Sequence, residues 1–168
     1  MTYLYEVKLH QYELNTFYSD KEESPLTEED FKKFKSLDFF EIDKEYRVEA
    51  TFELTSDTPI FEMKTTTDRL PLYRKYGIAS FRLNGKDFQL SLYQPQQEIT
   101  STDHSNLLFL PFNDLSNGKN SYGGGRFIDI ETPAVNAKTV IIDFNKSYNP
   151  YCAYNSKYSC PIPPKEND

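Results

Sequence analysis

The loop between residues 113 and 126 carries the arrangement best suited to binding an anion. Three consecutive glycines end at Gly125 and are followed directly by Arg126. Glycine permits backbone conformations that other residues avoid, so successive N–H groups could converge on an anion, and the guanidinium could add a bidentate charge. Alternatively, the glycines form a tight turn or bulge before a strand, and Arg126 pairs with Asp114 at the other end of the loop. A glycine triplet alone does not distinguish these interpretations.

The segment from residue 145 to residue 167 is irregular and rich in tyrosine, cysteine and proline. It contains both cysteines of the chain, four of its ten prolines and four of its thirteen tyrosines. Three prolines between residues 161 and 164 exclude a helix there. Aromatic residues are scarce in disordered segments, so we predict an ordered functional loop whose tyrosines offer flat apolar faces with a polar tip.

Cys152 and Cys160 lie eight positions apart, and several interpretations stay open. They could be small buried apolar groups, or they could form a disulfide. Cys152 could also act as a nucleophile with His104 as its base, although the two are far apart in sequence. A zinc site is not supported, because the only histidines are His10 and His104 and no Cys-x-x-Cys spacing occurs.

Four carboxylates in or beside these two segments could perform acid–base chemistry or bind a hard cation. They are Asp114, Asp129, Asp143 and Glu166. Their spacing does not match a calcium-binding loop. With 26 acidic residues in the chain, most must be solvated surface. The pattern therefore predicts no metal site and identifies no cofactor.

Length, charge and hydropathy limit the class of protein and the partners. A chain of 168 residues is sufficient for one domain with a real core. The net charge of −7 disfavours nucleic acid and anionic membrane as partners, because both require a cationic surface. No apolar run approaches the roughly 20 residues needed to cross a bilayer, and the first residues do not resemble a signal peptide. We therefore expect the chain as given to be soluble. It could be an envelope protein whose leader has been removed, or alternatively a cytoplasmic protein.

Two helices are predicted near the start of the chain. Residues 3–18 alternate partly like a strand, but Tyr5, Leu9 and Tyr12 also fall at helical spacing, which favours a helix. Thr27 precedes three acidic residues, a pattern typical of a helix N-terminus. Apolar residues three apart, Phe31, Phe34 and Leu37, predict that this second helix docks on the core by one face.

From residue 45 onward the apolar pattern has a period of two, which indicates strands. Alternation is clearest over residues 46–54, and further strands are predicted over residues 61–65, 107–110, 126–130 and 139–144. Asn84-Gly85 lies between two alternating runs, so a type I′ hairpin should place Phe81 opposite Phe88 and Ala79 opposite Leu90. We predict a mainly β fold, an antiparallel β-barrel or curled β-sandwich with one or two N-terminal helices.

A single domain over residues 1–168 is expected. Its helical N-terminal segment, residues 1–40, would pack on a β domain of residues 45–144, and residues 145–168 would form the irregular loop.

Several motifs occur in a fixed order along the chain: Leu108–Asp114, Ser121–Arg126, Asp143–Asn145, Tyr148–Tyr154 and Cys160–Asn167, with Ser24–Leu26, Phe39-Phe40, Tyr46–Val48 and Tyr76–Ile78 upstream. In this order they resemble an uncharacterised bacterial family of domains of unknown function, DUF1684. The resemblance covers nearly the whole chain. It implies one integral domain in which the two motif loops form the signature surface.

The resemblance also implies that relatives are often secreted or lipid-anchored proteins with a leader, and that they continue past the Glu166-Asn167 pair with a final apolar strand. Here Asp168 is last. If that strand is absent, we expect one open sheet edge.

We infer from the sequence a small-molecule or anion-binding domain, with its site where loop 113–126 meets loop 145–167. Arg126 would hold a charged end and the tyrosines would line the walls. The predicted ligand-binding residues are Asp114, Tyr122, Gly123, Gly124, Gly125, Arg126, Asn145, Tyr148, Asn149, Tyr151, Cys152, Tyr154, Cys160 and Glu166.

Two other classes of protein stay open. The chain could be a hydrolase that uses Asp114, Asp143 or Cys152 as base or nucleophile. It could also be a structural envelope domain whose tyrosine-rich loop covers the mouth of the barrel.

Overall fold

A long helix, α1 (Tyr3–Ser19), opens the chain and confirms the helical interpretation of that segment. The computed structural model describes residues 1–55, 57–96 and 106–168. The hydroxyl of Thr2 caps α1 by accepting a hydrogen bond from the N–H of Tyr5. No helix in these described ranges is long and apolar enough to cross a membrane.

The second helix, α2 (Glu28–Lys33), begins as predicted, because Thr27 accepts a hydrogen bond from the N–H of Asp30. It ends earlier than the apolar spacing predicted. The backbone is already extended at Phe34, and the N–H of Leu37 is held by the side chain of Asn15 in α1, not by a helical carbonyl. Leu37 therefore belongs to the irregular segment that follows α2.

Within the described residues, seven antiparallel strands form one sheet in the order β6-β5-β4-β3-β1-β7, with β2 paired to β3 beside this path. They are β1 (Arg47–Leu54), β2 (Ile60–Glu62), β3 (Leu72–Leu83), β4 (Lys86–Pro95), β5 (Leu107–Phe112), β6 (Arg126–Glu131) and β7 (Thr139–Asp143). Short 3₁₀ turns cover Lys44–Tyr46, Phe144–Lys146, Tyr151–Ala153 and Lys165–Asn167.

The sheet curls into a half-barrel, so the predicted mainly β fold with an N-terminal helix is confirmed. Phe127 in β6 and Tyr148, just after β7, exchange two backbone hydrogen bonds of 2.9 Å. This bridge connects the two outer strands of the sheet path and tightens its curl.

The hairpin between β3 and β4 has the predicted register, with Phe81 opposite Phe88 and Ala79 opposite Leu90. Asn84 and Gly85 have φ values of 51° and 76°, as a type I′ turn requires. The turn and the apolar pattern specify the same pairing, which fixes the side chains that face the interior.

The hydrophobic core lies on the inner face of the curled sheet. It is built from alternate residues of six strands: Val48, Ala50, Phe52, Ala79, Phe81, Leu90, Leu92, Leu108, Leu110, Phe112, Ile128, Ile130, Val140 and Ile142. The alternation predicted for β1 holds in its centre only. Tyr46 lies in the preceding 3₁₀ turn and Leu54 is exposed at the strand end.

The strand predicted over residues 61–65 ends at Glu62, and Met63 and Thr65 are buried beyond it. Thr65 forms an isolated bridge with Pro161, so the C-terminal segment continues the packing there. Residues 97–105, which precede β5, lie outside the described residues.

Candidate functional site

A cleft of about 1570 Å³ opens at one end of the half-barrel. At this end β1, β4 and β6 begin and β3, β5 and β7 end, and residues at or next to these six strand termini line the cleft. The apolar floor of the cleft is formed by Phe81, Leu83, Phe88, Leu90, Phe112 and Phe144. Leu14 and Tyr18 of α1 line one side.

An irregular segment, which we call the strap (residues 37–43), crosses the cleft and contributes every one of its residues to the lining. One end is held by Asn15 Oδ1, which accepts from the N–H of Leu37 at 2.7 Å. At the other end Asn145 Oδ1 accepts from the N–H of Asp43 at 2.9 Å, and Asn145 Nδ2 donates to the Asp43 carbonyl at 2.8 Å. The aromatic rings of Phe39 and Phe40 lie between these two anchors.

Arg126 lies at the polar side of the cleft between two aromatic rings. Its guanidinium carbon is 5.2 Å from the ring centre of Phe40 and 5.3 Å from that of Phe112. Nη2 donates to Asp114 Oδ2 at 2.5 Å and Nη1 donates to Ser147 Oγ at 3.1 Å. The side chain is only 13% exposed, and its Nε is buried without a hydrogen-bond partner among the described residues.

Asp114 compensates the charge of Arg126. Burial alone would raise the pKa of this carboxyl, but hydrogen bonds from the N–H and hydroxyl of Ser116, together with the Arg126 charge, hold the pKa below its ordinary value. The carboxylate is therefore ionised at neutral pH. The ion pair between Asp114 and Arg126, given above as the alternative to a free anion site, is present in the structure.

The three glycines lie outside the lining of the cleft and shape the turn before β6. Gly125 has a φ of +92°, and its N–H donates to the carbonyl of Tyr122 at 3.3 Å. A Cβ at Gly124 would lie 2.4 Å from Cε1 of the Tyr122 ring, so that ring packs closely on the backbone. The glycines therefore serve the turn, and Tyr122 also lies outside the cleft lining.

Four predicted site residues of the irregular segment reach the cleft, Asn145, Tyr148, Asn149 and Tyr154, and Ser147 of the same segment also lines it. Tyr148 donates to Asp129 Oδ1 at 2.8 Å, and burial raises its pKa well above the ordinary value, so the hydroxyl stays protonated. Tyr154 packs edge-on against Tyr18 with ring centres 5.2 Å apart. Asn149 donates to the Tyr154 hydroxyl at 3.0 Å, while its Oδ1 is buried without a partner among the described residues.

The remaining predicted site residues, Tyr151, Cys152, Cys160 and Glu166, do not line the cleft. Tyr151 stacks on Phe17 of α1 with ring centres 6.1 Å apart. Glu166 forms an ion pair with Lys75 at 2.6 Å and accepts a hydrogen bond from Tyr93. These contacts fix the irregular segment to the sheet and helix.

Both cysteines are free thiols, and they lie close together. The N–H of Cys152 donates to Cys160 Sγ at 3.2 Å, and the hydroxyl of Tyr122 lies 3.7 Å from Cys152 Sγ. Burial raises the pKa of Cys160 to about 11, which suppresses its thiolate. The pairing of Cys152 with His104 involves a residue outside the described ranges. Across the described parts of the chain, no group of three His, Cys, Asp or Glu could hold a metal ion.

The candidate hydrolase residues are engaged in separate contacts. Asp114 holds Arg126, whereas Asp143 Oδ1 accepts from the Tyr3 hydroxyl at 3.0 Å and from Asn145 Nδ2 at 3.0 Å. The backbone N–H of Cys152 contacts Cys160 Sγ. No contact among the described residues favours a catalytic arrangement of the three.

The strap and the end of the β3–β4 hairpin belong to the site without any sequence pattern that predicts this. Phe39, Phe40 and Ile42 follow no helical or strand period, and Leu83 and Phe88 lie in alternating runs typical of an ordinary hairpin. The available signal was the adjacent pair Phe39-Phe40 in a segment without a secondary-structure pattern. Apolar residues there need a packing partner that only the tertiary structure supplies.

The fold and the cleft together define a class of protein, an antiparallel half-barrel domain with an N-terminal helix and a strapped opening at one end. The chain belongs to the family described as "Protein of unknown function (DUF1684)", whose sequence model matches residues 32–168. No curated protein matches the chain.

One solved structure similar to this chain is the solution NMR structure of an uncharacterized protein of Haloarcula marismortui. The two chains share 32% sequence identity and a TM-score of 0.76, over 98% of this chain and 88% of that chain. The fold is therefore shared with that protein. Because the family's function is unknown, the function of this chain has to be argued from its own site.

Proposed function

We propose that this chain is a binding domain for a small, mainly apolar molecule that enters the cleft beneath the strap. The observation that carries the proposal is the cleft itself, a concave surface that combines an apolar floor of phenylalanine and leucine side chains with polar and charged residues. Small-molecule sites combine apolar walls, which provide affinity, with polar groups, which fix the orientation of the ligand.

The volume and the walls of the cleft support a ligand of considerable size. Typical ligand pockets measure about 300–1,000 Å³. The cleft, at about 1570 Å³, exceeds this range, so it has room for a long or branched apolar molecule. Phe40 is 52% exposed on the strap, and a ligand beneath the strap would cover part of this ring.

The whole chain, residues 1–168, would act as one binding domain. Helix α1, the strap, the sheet and the irregular segment all contribute side chains to the same cleft. Removing any of these elements would open a wall of the site. Because these elements line the same cleft, they would form a single functional unit.

The test uses N-phenylnaphthylamine, an uncharged apolar dye that becomes fluorescent when it leaves water. We expect saturable binding to the purified protein. Phe88→Glu would place a charge in the floor of the cleft and weaken binding about tenfold or more. Phe88 is 43% exposed, so this variant should still fold, which its circular dichroism spectrum would verify.

Ile60→Glu is the matched control, because Ile60 is 48% exposed on β2 and does not line the cleft. We expect this variant to bind the dye like the natural sequence. No saturable binding to the natural sequence, or equal loss in both variants, would overturn the proposal.

A further inference from the structure

We infer that the ligand of the cleft is an uncharged molecule whose oxygen accepts a hydrogen bond, and that the ion pair of Arg126 with Asp114 is the element that selects against anions. This inference rests on the proposed binding function and names the ligand class for the same site. It is based on the hydrogen bonds and charges of the side chains at the polar side of the cleft.

Arg126 offers a hydrogen-bond donor without offering a free charge. Its Nη2 lies 2.5 Å from Asp114 Oδ2, and its Nη1 is occupied by Ser147. The Nε remains buried and unpaired among the described residues. An unpaired buried donor is costly, so a ligand oxygen that reached it would recover a hydrogen bond.

A hydroxyl group suits this side of the cleft particularly well. Asn149 Oδ1 is the other buried polar atom without a partner among the described cleft-lining residues, and it is an acceptor. A hydroxyl both accepts and donates, whereas a carboxylate only accepts. Of the two groups, only the hydroxyl could form a hydrogen bond with either kind of unpaired atom, the donor or the acceptor.

The other charged residues of the lining also oppose an anion. Apart from the ion pair, the lining contains the acids Asp38, Glu41, Asp43 and Asp168 but only two lysines, Lys44 and Lys86. The local charge is therefore negative. A carboxylate entering the cleft would lose its hydration and meet this net negative charge, with only Lys44 and Lys86 to compensate it.

At its own side of the cleft, the Arg126 guanidinium argues against a cationic ligand. It is held in place by Phe40, Phe112, Asp114 and Ser147, so it cannot withdraw to make room for a second cation. The rings of Phe40 and Phe112 are already occupied by this cation. An uncharged apolar molecule with a hydroxyl group is the class that meets all of these constraints.

The experiment displaces N-phenylnaphthylamine from the cleft with three ligands that share one alkyl chain: decanol, decanoate and decylammonium. We expect decanol to displace the dye at the lowest concentration. Asp114→Asn should release the charge of Arg126 and improve decanoate relative to decanol by about tenfold. Asp87→Asn is the matched control, because Asp87 pairs with Arg82 at 3.3 Å on the surface, outside the cleft lining.

The outcomes separate this inference from the proposed function. Tightest displacement by decanoate or by decylammonium would overturn the inference while leaving a small-molecule site in place. An unchanged preference in Asp114→Asn, or an equal change in Asp87→Asn, would overturn the selective role of the ion pair. Failure of the dye to bind at all would overturn the proposed function itself.

Discussion

The side-chain amide of Asn167 occupies the position of a strand residue opposite Ser91. Its Oδ1 accepts from the Ser91 N–H at 2.8 Å, and its Nδ2 donates to the carbonyls of Ser91 and Pro111 at 3.0 and 2.8 Å. β4 and β5 pair at Tyr93 and Phe109, so the same register would place Ser91 opposite Pro111. Because proline has no N–H to donate, the amide of Asn167 completes the ladder at this point.

Replacing Asn167 should therefore destabilise the fold strongly. Asn167→Ala removes three buried hydrogen bonds and leaves the N–H of Ser91 and two carbonyls unpaired. We expect a loss of about 3 kcal/mol in the free energy of unfolding, measured by urea denaturation. The control is Asn136→Ala on an exposed turn, which should change stability by less than about 0.5 kcal/mol. Equal stability of the two variants would contradict the role assigned to Asn167.

The turn before β6 depends on a glycine at position 125. A Cβ there would lie 2.7 Å from Asn113 Oδ1 and from Pro163 Cγ, in addition to the unfavourable positive φ. At Gly85 the φ is also positive, +76°, but a Cβ would meet open space. Gly85→Ala should lower the free energy of unfolding by about 1 kcal/mol through the strained backbone alone. Gly125→Ala should lower it by clearly more, about 2–4 kcal/mol. The melting temperatures of both variants, measured by thermal unfolding, test this difference. Similar melting temperatures would show that the contacts at Gly125 are not tight.

Local signals made much of the sheet predictable. The Asn84-Gly85 turn determines the β3–β4 register, and the alternation in β1 identifies its buried face, because both depend on neighbouring residues. The cap of α2 at Thr27 was predictable for the same reason, because it also depends on neighbouring residues. Pairing of Arg126 with Asp114 was foreseen as one of two alternatives, since both lie in one loop.

The cleft and the closing of the ladder were not predictable, because both depend on contacts between distant parts of the chain. Asn167 and Ser91 are 76 positions apart, and Asp43 and Asn145 are 102 positions apart. Phe39 and Phe40 have no periodic pattern that would assign them to a face. Only the curl of the sheet brings the strap over the strand ends.

Lowering the pH should remove a stabilising contribution of Asp114. Its pKa is lower in the folded chain than the ordinary value of 3.8, so the ionised carboxylate stabilises the fold. That contribution is fully present above the unfolded pKa and is lost as the pH falls through the folded pKa. We expect the natural sequence to be more stable than Asp114→Asn at neutral pH, and this difference to shrink as the pH falls below the ordinary value of 3.8. A difference that stayed constant over this range would argue against the ion pair.

The two thiols should differ in reactivity. Cys160 is buried with a pKa raised to about 11, whereas Cys152 is half-buried. In a reaction with dithiobis(nitrobenzoate) near pH 8, Cys160 should react roughly a hundredfold more slowly than an unperturbed thiol. Cys152→Ser should remove the faster phase and Cys160→Ser should retain it. A fast phase that persists in Cys152→Ser would show that Cys160 is accessible.

Methyl NMR of the labelled protein titrated with decanol would show whether the cleft beneath the strap receives an apolar ligand. We expect saturable shifts of the methyl groups of Ile42, Leu83 and Leu90, which line the cleft. The methyl groups of Leu9 and Ile60, both outside the lining, should remain unchanged. If shifts are confined to Leu9 and Ile60, or if no saturable shift occurs, the cleft does not bind an apolar ligand.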